Sequence, residues 1–354
     1  YGGGTVTMRN WGKKGIICLC CYYGGLFPAA TGCGLGKMAH EHQAAQGGPV
    51  ELKLAYHLPQ DHYLSQGMER FAQRVNERSN GSIKITTYPA GQLYTDKSMN
   101  DAIMTGGLDM GLNSTAMWTT VVPALNVLDV PFLLNSYEAV GRAMDGSLGR
   151  TLTSEMERKG VHPLIWVDYG YVQFCNNQRP LKEPEDFKGL QLRGYGQIPA
   201  ETIKALGASP VTMSSSEVYI AMQRGTIDGQ TSGTTAMYQR KIYEVAKYLT
   251  MTNHAYCEFV LAVNGSSWDR LTDDQKQLVE QCAKETRDEL REQTRQEDRA
   301  CMEKLRDAGM EVYEIPPEDI PKWQEATMPV RENFIRKMGD LGRQLVDQCL
   351  AANQ

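Results

Sequence analysis

The chain has 354 residues, 41% of them hydrophobic, with a formal charge of -5 and an isoelectric point near 5.8. That length and apolar content support a large core and favour two domains over one. The acidic balance, with no basic cluster, excludes nucleic acid and anionic membrane as partners, and no apolar run reaches the roughly 18 residues of a membrane-spanning helix.

The first forty residues read as targeting. Met8, then Arg9, Lys13 and Lys14, then IICLCCYYGGLFPAA have the three-part layout of a secretory signal. Export is the reading adopted over a cytosolic chain with a cysteine-rich start. Ala30-Thr31-Gly32-Cys33 resembles a bacterial lipobox with alanine where leucine is usual, which leaves two processings open: lipidation of Cys33, or plain cleavage. Residues 34–49 read as an unstructured tether. Removing the leader takes away Arg9, Lys13 and Lys14 and no acid, so an anion site in the mature chain must be local.

Val50 to Tyr56 alternates as a strand. A helix follows over His62 to Ser79, with Leu64, Met68, Phe71 and Val75 at three- and four-residue spacing and Asn80-Gly81 as its stop. Ile83 to Tyr88 is the next strand, Asp96 to Thr105 a helix, and Leu108 to Leu112 a third strand. Short joins between alternating strands and helices predict a parallel, doubly wound sheet whose ligand lies outside the carboxyl ends of the strands. Tyr56-His57, Gln92 and Asn113-Ser114-Thr115 would then face one rim. AIMTGGLDMGLNST from Ala102 lines up without gaps on AMQRGTIDGQTSGT from Ala221, which suggests two similar lobes facing each other. Asp109 and Asp228, at matched positions after glycines, are expected to bond backbone amides rather than to act as paired acids.

The stretch Asp186 to Thr235 carries the candidate site. The strand Leu190 to Arg193 delivers one cation into Gly194-Tyr195-Gly196, where a guanidinium fork is free to take a carboxylate with two parallel bonds. An ion pair at a sheet edge is the alternative. Ser214-x-x-Glu217 reads as a capping box and Gly225 as a helix-ending glycine. The chain would cross between lobes near Tyr169 to Gln173 and near Tyr256 to Leu261. Thr272-x-x-Gln275 caps a helix running to about Ala308, long enough to brace both lobes. A strand, Met310 to Ile315, and helices broken at Pro329 and Gly339 follow.

The catalytic search finds no GxSxG, no phosphate loop and no HExxH. His57-x4-His62 straddles a proline-containing turn without an acidic or cysteine partner, so a capping or ligand hydrogen bond is preferred to a metal pair. Cys175, Cys257, Cys282, Cys301 and Cys349 have no metal-site spacing. The chain gives an enzyme no support, so no enzyme, cofactor or metal is expected, and a secreted lyase or isomerase on a similar fold is the rival reading.

FKGLQLR, KALGASPVTM, SEVYIAMQRGTIDGQ and IYEVAKYLTMTNH, with LKLAYHLP, YPAGQL and LDVPFLL upstream, resemble the substrate-binding proteins of tripartite ATP-independent periplasmic (TRAP) transporters, the DctP family, over roughly Leu52 to Leu271. The resemblance implies an α/β, class II-like bilobal periplasmic binding protein, two doubly wound domains joined by strand hinges and a long bracing helix. The expected division is 1–49 leader and tether, 50–170 plus 259–300 as lobe I, and 171–258 plus 301–354 as lobe II with the C-terminal helices. It also implies a monomeric, periplasmic protein that hands a small organic acid to a small and a large membrane subunit.

In sialic-acid-binding members, charged residues stand where this chain has Ser114 and Met117, a second arginine at Val172, phenylalanine at Ser215 and asparagine at Ser232. Only the anchor Arg193 remains, followed by Gly194-Tyr195 where valine-proline is usual. A second ligand charge would lack a partner, so a monoanion is expected, a monocarboxylate such as a 2-oxo or aryl acid. Trp118, Tyr169, Tyr171, Tyr195 and Tyr256 suit a partly apolar body, unless one or two of them belong to the core. The expected ligand-binding residues are Arg193, His57, Ser114, Thr115, Trp118, Tyr171, Tyr195, Ser215, Ser232 and Thr235. A sensory protein docking to a receptor ectodomain, or a binder of a C4 dicarboxylate or small sulfonate, is the alternative.

Overall fold

The computed structural model describes residues 48–354. The leader, the Cys33 lipidation candidate and the tether up to residue 47 lie outside the described residues. The first strand, β1 (Val50–Tyr56), starts where the alternation begins. Helix α1 (Tyr63–Arg78) buries Leu64, Met68, Phe71 and Val75 and is capped by His62, whose Nδ1 accepts from Leu64 N at 3.1 Å. Strand β2 (Ile83–Tyr88), α2 (Met99–Thr105), β3 (Met110–Ser114) and the short α3 (Thr115–Trp118) complete the first unit. A 3₁₀ segment (Pro123–Asp129), α4 (Tyr137–Asp145) and α5 (Ser147–Glu157) lead into the long strand β4 (Val161–Asn176).

The second unit repeats the plan with β5 (Gln191–Gly194), α6 (Gln197–Ala205), β6 (Ser209–Thr212), α7 (Val218–Gln223), β7 (Gly229–Gly233) and α8 (Thr234–Gln239). The chain returns through β8 (Tyr248–Asn264), followed by α9 (Gly265–Asp269), α10 (Asp273–Asp307), β9 (Glu311–Glu314) and α11 (Ile320–Ala351). No helix among the described residues is long and apolar enough to cross a membrane.

The strands form one sheet in the order β2-β1-β3-β8-β4-β7-β5-β6, with β9 beside β8. β1 to β3 are mutually parallel, as are β5 to β7, but β3 pairs antiparallel with β8, β8 with β4, and β4 with β7. The protein is bilobal, yet its lobes share a continuous sheet, because β4 and β8, of 16 and 17 residues, run through both. The expected crossings, Tyr169 to Gln173 and Tyr256 to Leu261, fall inside these two strands, where the register shifts between Asp168 and Gly170 and between Val172 and Phe174. The internal repeat is structural. Asp109 Oδ2 accepts from Lys53 N at 2.9 Å and Asp228 Oδ2 from Gln191 N at 2.7 Å, so each aspartate ties the start of its strand to its parallel neighbour.

Thr272 and Gln275 form the capping box of α10, whose 35 residues extend about 50 Å. Its first half packs Val279, Cys282, Ala283 and Leu290 into the core around α1 and β1 to β3, and Leu305 enters the core around α7 and Ile242. Between these ends Arg291 Nε meets Asp168 Oδ2 at 3.0 Å. Asp298 accepts from Tyr137 of α4 at 2.7 Å, from the Tyr171 amide of β4 at 3.3 Å and from Thr234 of α8 at 3.3 Å. Gly170 leaves room for that carboxylate. Its φ is +114°, and an added Cβ would collide with Asp298.

One local expectation changes. Pro329 sits inside α11 without ending it, and the single interruption is at Gly339, whose φ of 61° and ψ of -136° are not helical. The five cysteines beyond the leader are all buried free thiols.

Gly170→Ala should destabilise the fold by roughly 1–3 kcal/mol, from the disfavoured backbone alone, with more from displacing Asp298. Urea denaturation measures it, and an unchanged midpoint would refute this account. Burial pushes the Asp298 carboxyl up to about 7, against the bonds from Tyr137, Tyr171 and Thr234. An acid held protonated in the folded chain but ionised in the unfolded one removes stability as pH rises from about 4 to about 7. Asp298→Asn should therefore flatten the fall of stability across that window relative to the wild type, and parallel pH profiles would contradict the assignment.

Candidate functional site

The register directs both sets of parallel strands to one place. Ser114, the last residue of β3, lies opposite Phe259 of β8, and Gly233, the last of β7, lies opposite Val172 of β4, itself opposite Ala255. A cavity of about 50 Å³ opens there. His57 and Leu58 enter from the end of β1, Asp96 from the turn before α2, and Ser114 and Met117 from the start of α3. Arg193 and Tyr195 enter from β5, Ser215 from the turn before α7, and Gln230, Ser232, Ala236 and Arg240 from β7 and α8. Tyr169, Val172, Cys257 and Phe259 of the crossing strands form the floor.

Arg193 is buried, and its Nε and Nη2 both donate to Met213 O at 3.2 Å. This fixes one edge of the guanidinium and leaves Nη1 without a protein partner among the described residues. Burial lowers its pKa, opposed by the Asp96 charge. The Tyr195 ring lies 5.8 Å from the guanidinium, and its hydroxyl donates to Asp129 Oδ1 at 2.8 Å.

Asp96 bridges the two sides of the cavity. Its Oδ1 accepts from Ser214 Oγ at 2.6 Å and its Oδ2 from Ser215 N at 3.1 Å. Burial opposes its ionisation, but His57, Ser214, Ser215 and Arg193 together hold its pKa below the ordinary value. The expected capping box at Ser214 is consequently half formed. Glu217 accepts from Ser214 N at 2.8 Å, while the serine hydroxyl turns to Asp96 instead of to the helix.

His57 stacks on Phe259 at 5.8 Å, and burial pushes its pKa down to about 4, so the imidazole is neutral. Arg240 completes the ring, its Nη2 donating to His57 O at 3.3 Å. Two guanidinium groups against one carboxylate leave the lining with a single positive charge in excess. The expectation that Arg193 is the only fixed cation is thereby corrected.

Of the expected binding residues, Arg193, His57, Ser114, Tyr195, Ser215 and Ser232 line the cavity, and Thr115, Trp118, Tyr171 and Thr235 do not. At α3, Ser114 and Met117 line the cavity, whereas Thr115 donates to Glu258 O at 3.0 Å and Trp118 is wholly buried in the core. Strand alternation explains Tyr171, which points away from Val172 and donates to Leu134 O at 3.3 Å. Thr235 is buried one residue off the face that carries Ala236 and Arg240.

Asp96, Gln230 and Arg240 were not expected. Asp96 gave no signal, because its partners across the cavity, Ser214 and Ser215, lie more than a hundred residues away. No group of three metal-ligating side chains occurs among the described residues.

The family described as bacterial extracellular solute-binding protein, family 7, matches residues 54–337. The chain is 31% identical over 294 residues to the C4-dicarboxylate-binding periplasmic protein DctP of Rhodobacter capsulatus, covering 82% of this chain and 88% of that protein. A TRAP periplasmic solute-binding protein from a Sulfitobacter species, solved with bound β-D-galacturonate, matches with a TM-score of 0.81 and 29% identity over 85% of this chain and 99% of that one. Another, from Shewanella oneidensis with bound succinate, matches with a TM-score of 0.82 and 27% identity over 86% of this chain and 100% of that one. With a family match over most of its length and the same fold as these neighbours, the chain belongs to the DctP family of TRAP solute-binding proteins, a transport family and not an enzyme family.

Proposed function

We propose that the chain is an exported solute-binding protein that captures a small organic acid carrying one negative charge and delivers it to the small and large membrane subunits of a TRAP transporter. The observation that carries this reading is the charge of the cavity, where buried Arg193 and half-buried Arg240 face a single ionised Asp96. One carboxylate balances the lining, and a closed cleft penalises any charge left without a partner. Arg193 takes the carboxylate on the edge that Met213 leaves open. The lobes proposed to close over the ligand are 50–170 with 259–300 and 171–258 with 301–354, pivoting on β4 and β8.

Arg240 also supports a second reading, a C4 dicarboxylate spanning the two arginines, as the Rhodobacter relative's name and the succinate in the Shewanella neighbour would suggest. Asp96 weighs against it, since a second carboxylate would enter beside an existing one. The galacturonate of the Sulfitobacter neighbour is a monoanion and fits the favoured reading.

A thermal-shift screen of monocarboxylates, sugar acids, dicarboxylates and sulfonates tests the ligand class, because a ligand at about 100 times its dissociation constant adds about 2.7 kcal/mol. Stabilisation by diacids alone would overturn the monoanion reading. With any ligand so found, Arg193→Ala should abolish binding measured by calorimetry, and Arg193→Lys should weaken it greatly by losing the two-pronged geometry. Affinity near the wild type in either variant would remove Arg193 from its role.

A further inference from the structure

Two polar atoms of the cavity's own residues are buried without a hydrogen-bond partner among the described residues: Arg240 Nε and His57 Nδ1. The residues approach from opposite sides, Arg240 from the end of α8 and His57 from the end of β1, and are joined where Arg240 Nη2 donates to His57 O at 3.3 Å. The neighbouring Gln239 makes a parallel contact, donating to Asp61 O at 3.0 Å. Both contacts cross the cleft, so Arg240 reaches its place only when the two sides have come together.

A buried N–H without an acceptor is costly, and the groups around Arg240 do not relieve it. Asp96 is engaged by Ser214 and Ser215, and Arg193 and the neutral His57 lie beside it, with His62, Tyr169 and Cys257 held neutral by burial. A carboxylate seated on Arg193 satisfies that anchor but leaves Arg240 Nε wanting an oxygen. That oxygen must be uncharged, because Asp96 and the first carboxylate already balance the two cations. A hydroxyl or keto group meets the requirement, and His57 Nδ1, as acceptor or donor by tautomer, can complete the pairing with either.

We propose that Arg240 is a specificity-determining residue that, as the cleft closes, selects carboxylates bearing a second, neutral oxygen, namely hydroxy and oxo acids, over plain monocarboxylates and over diacids. This rests on the anion-binding reading of the same cavity.

Calorimetry with propionate, lactate, pyruvate and succinate tests it. The wild type should bind lactate or pyruvate about tenfold or more tightly than propionate, since a site built to hydrogen-bond an oxygen discriminates against the analogue that lacks it. Arg240→Met should bring that ratio close to one, with propionate itself bound more weakly because the lining loses its excess positive charge, so the ratio and not the absolute affinity is the readout. Arg240→Gln, which keeps an N–H donor without the charge, should retain part of the preference, and it also carries the comparison if the methionine variant melts lower without ligand. The proposal is overturned if wild type shows no preference, if Arg240→Met keeps it, or if succinate binds at least as tightly as pyruvate. Tight propionate binding without preference would spare the anion-binding reading, whereas no binding of any organic acid would remove both.

Discussion

The antiparallel pairing of β4 with β8 is the constraint on which the cavity depends. Because these strands run past each other for their whole length, β3 can add to one flank and β7 to the other, and both present their carboxyl ends to the same short stretch. Under the proposed closure the crossing residues would serve as pivot and cavity floor at once. Tyr169, Val172, Cys257 and Phe259 line the cavity from the two strands that any relative movement of the lobes must bend or twist.

Charge is confined to this place by local devices, since the chain as a whole is acidic. Each ionised group of the lining has at least one edge fixed by a neutral partner: Arg193 by the Met213 carbonyl, Asp96 by the Ser214 hydroxyl and the Ser215 amide, Arg240 by the His57 carbonyl. Such groups keep their charge at lower cost than bare ones, and the bonds hold them in fixed directions. His57 does the opposite and stays neutral, which keeps the excess charge small.

The alternation of strands and helices, the parallel units and the long capped helix were legible because each rests on periodicity or on a cap within a few residues. The gap-free alignment of Ala102 with Ala221 pointed correctly to matched units, down to Asp109 and Asp228 making the same strand-to-strand bond. The site was legible where a residue closes a strand, as with Arg193, Ser114 and Ser232. It was obscured where facing matters. Thr115, Trp118 and Tyr171 are near the rim in sequence but are buried in the core. Asp96 and Arg240 acquire their roles from partners on the opposite side of the cleft, which local pattern cannot reveal. The continuity of the sheet was likewise hidden, because pairing between β4 and β8 spans a long stretch of sequence.

The long helix α10 has a mechanical consequence. Both its ends are embedded in separate cores and its middle is pinned at Asp168, Tyr171 and Thr234. Rotation of one lobe about the strands must flex this rod, and a hydrogen-bonded helix resists bending along its whole length. If the lobes close as proposed, α10 is a leaf spring mounted across the joint, loaded as the cleft closes and recoiling as it opens.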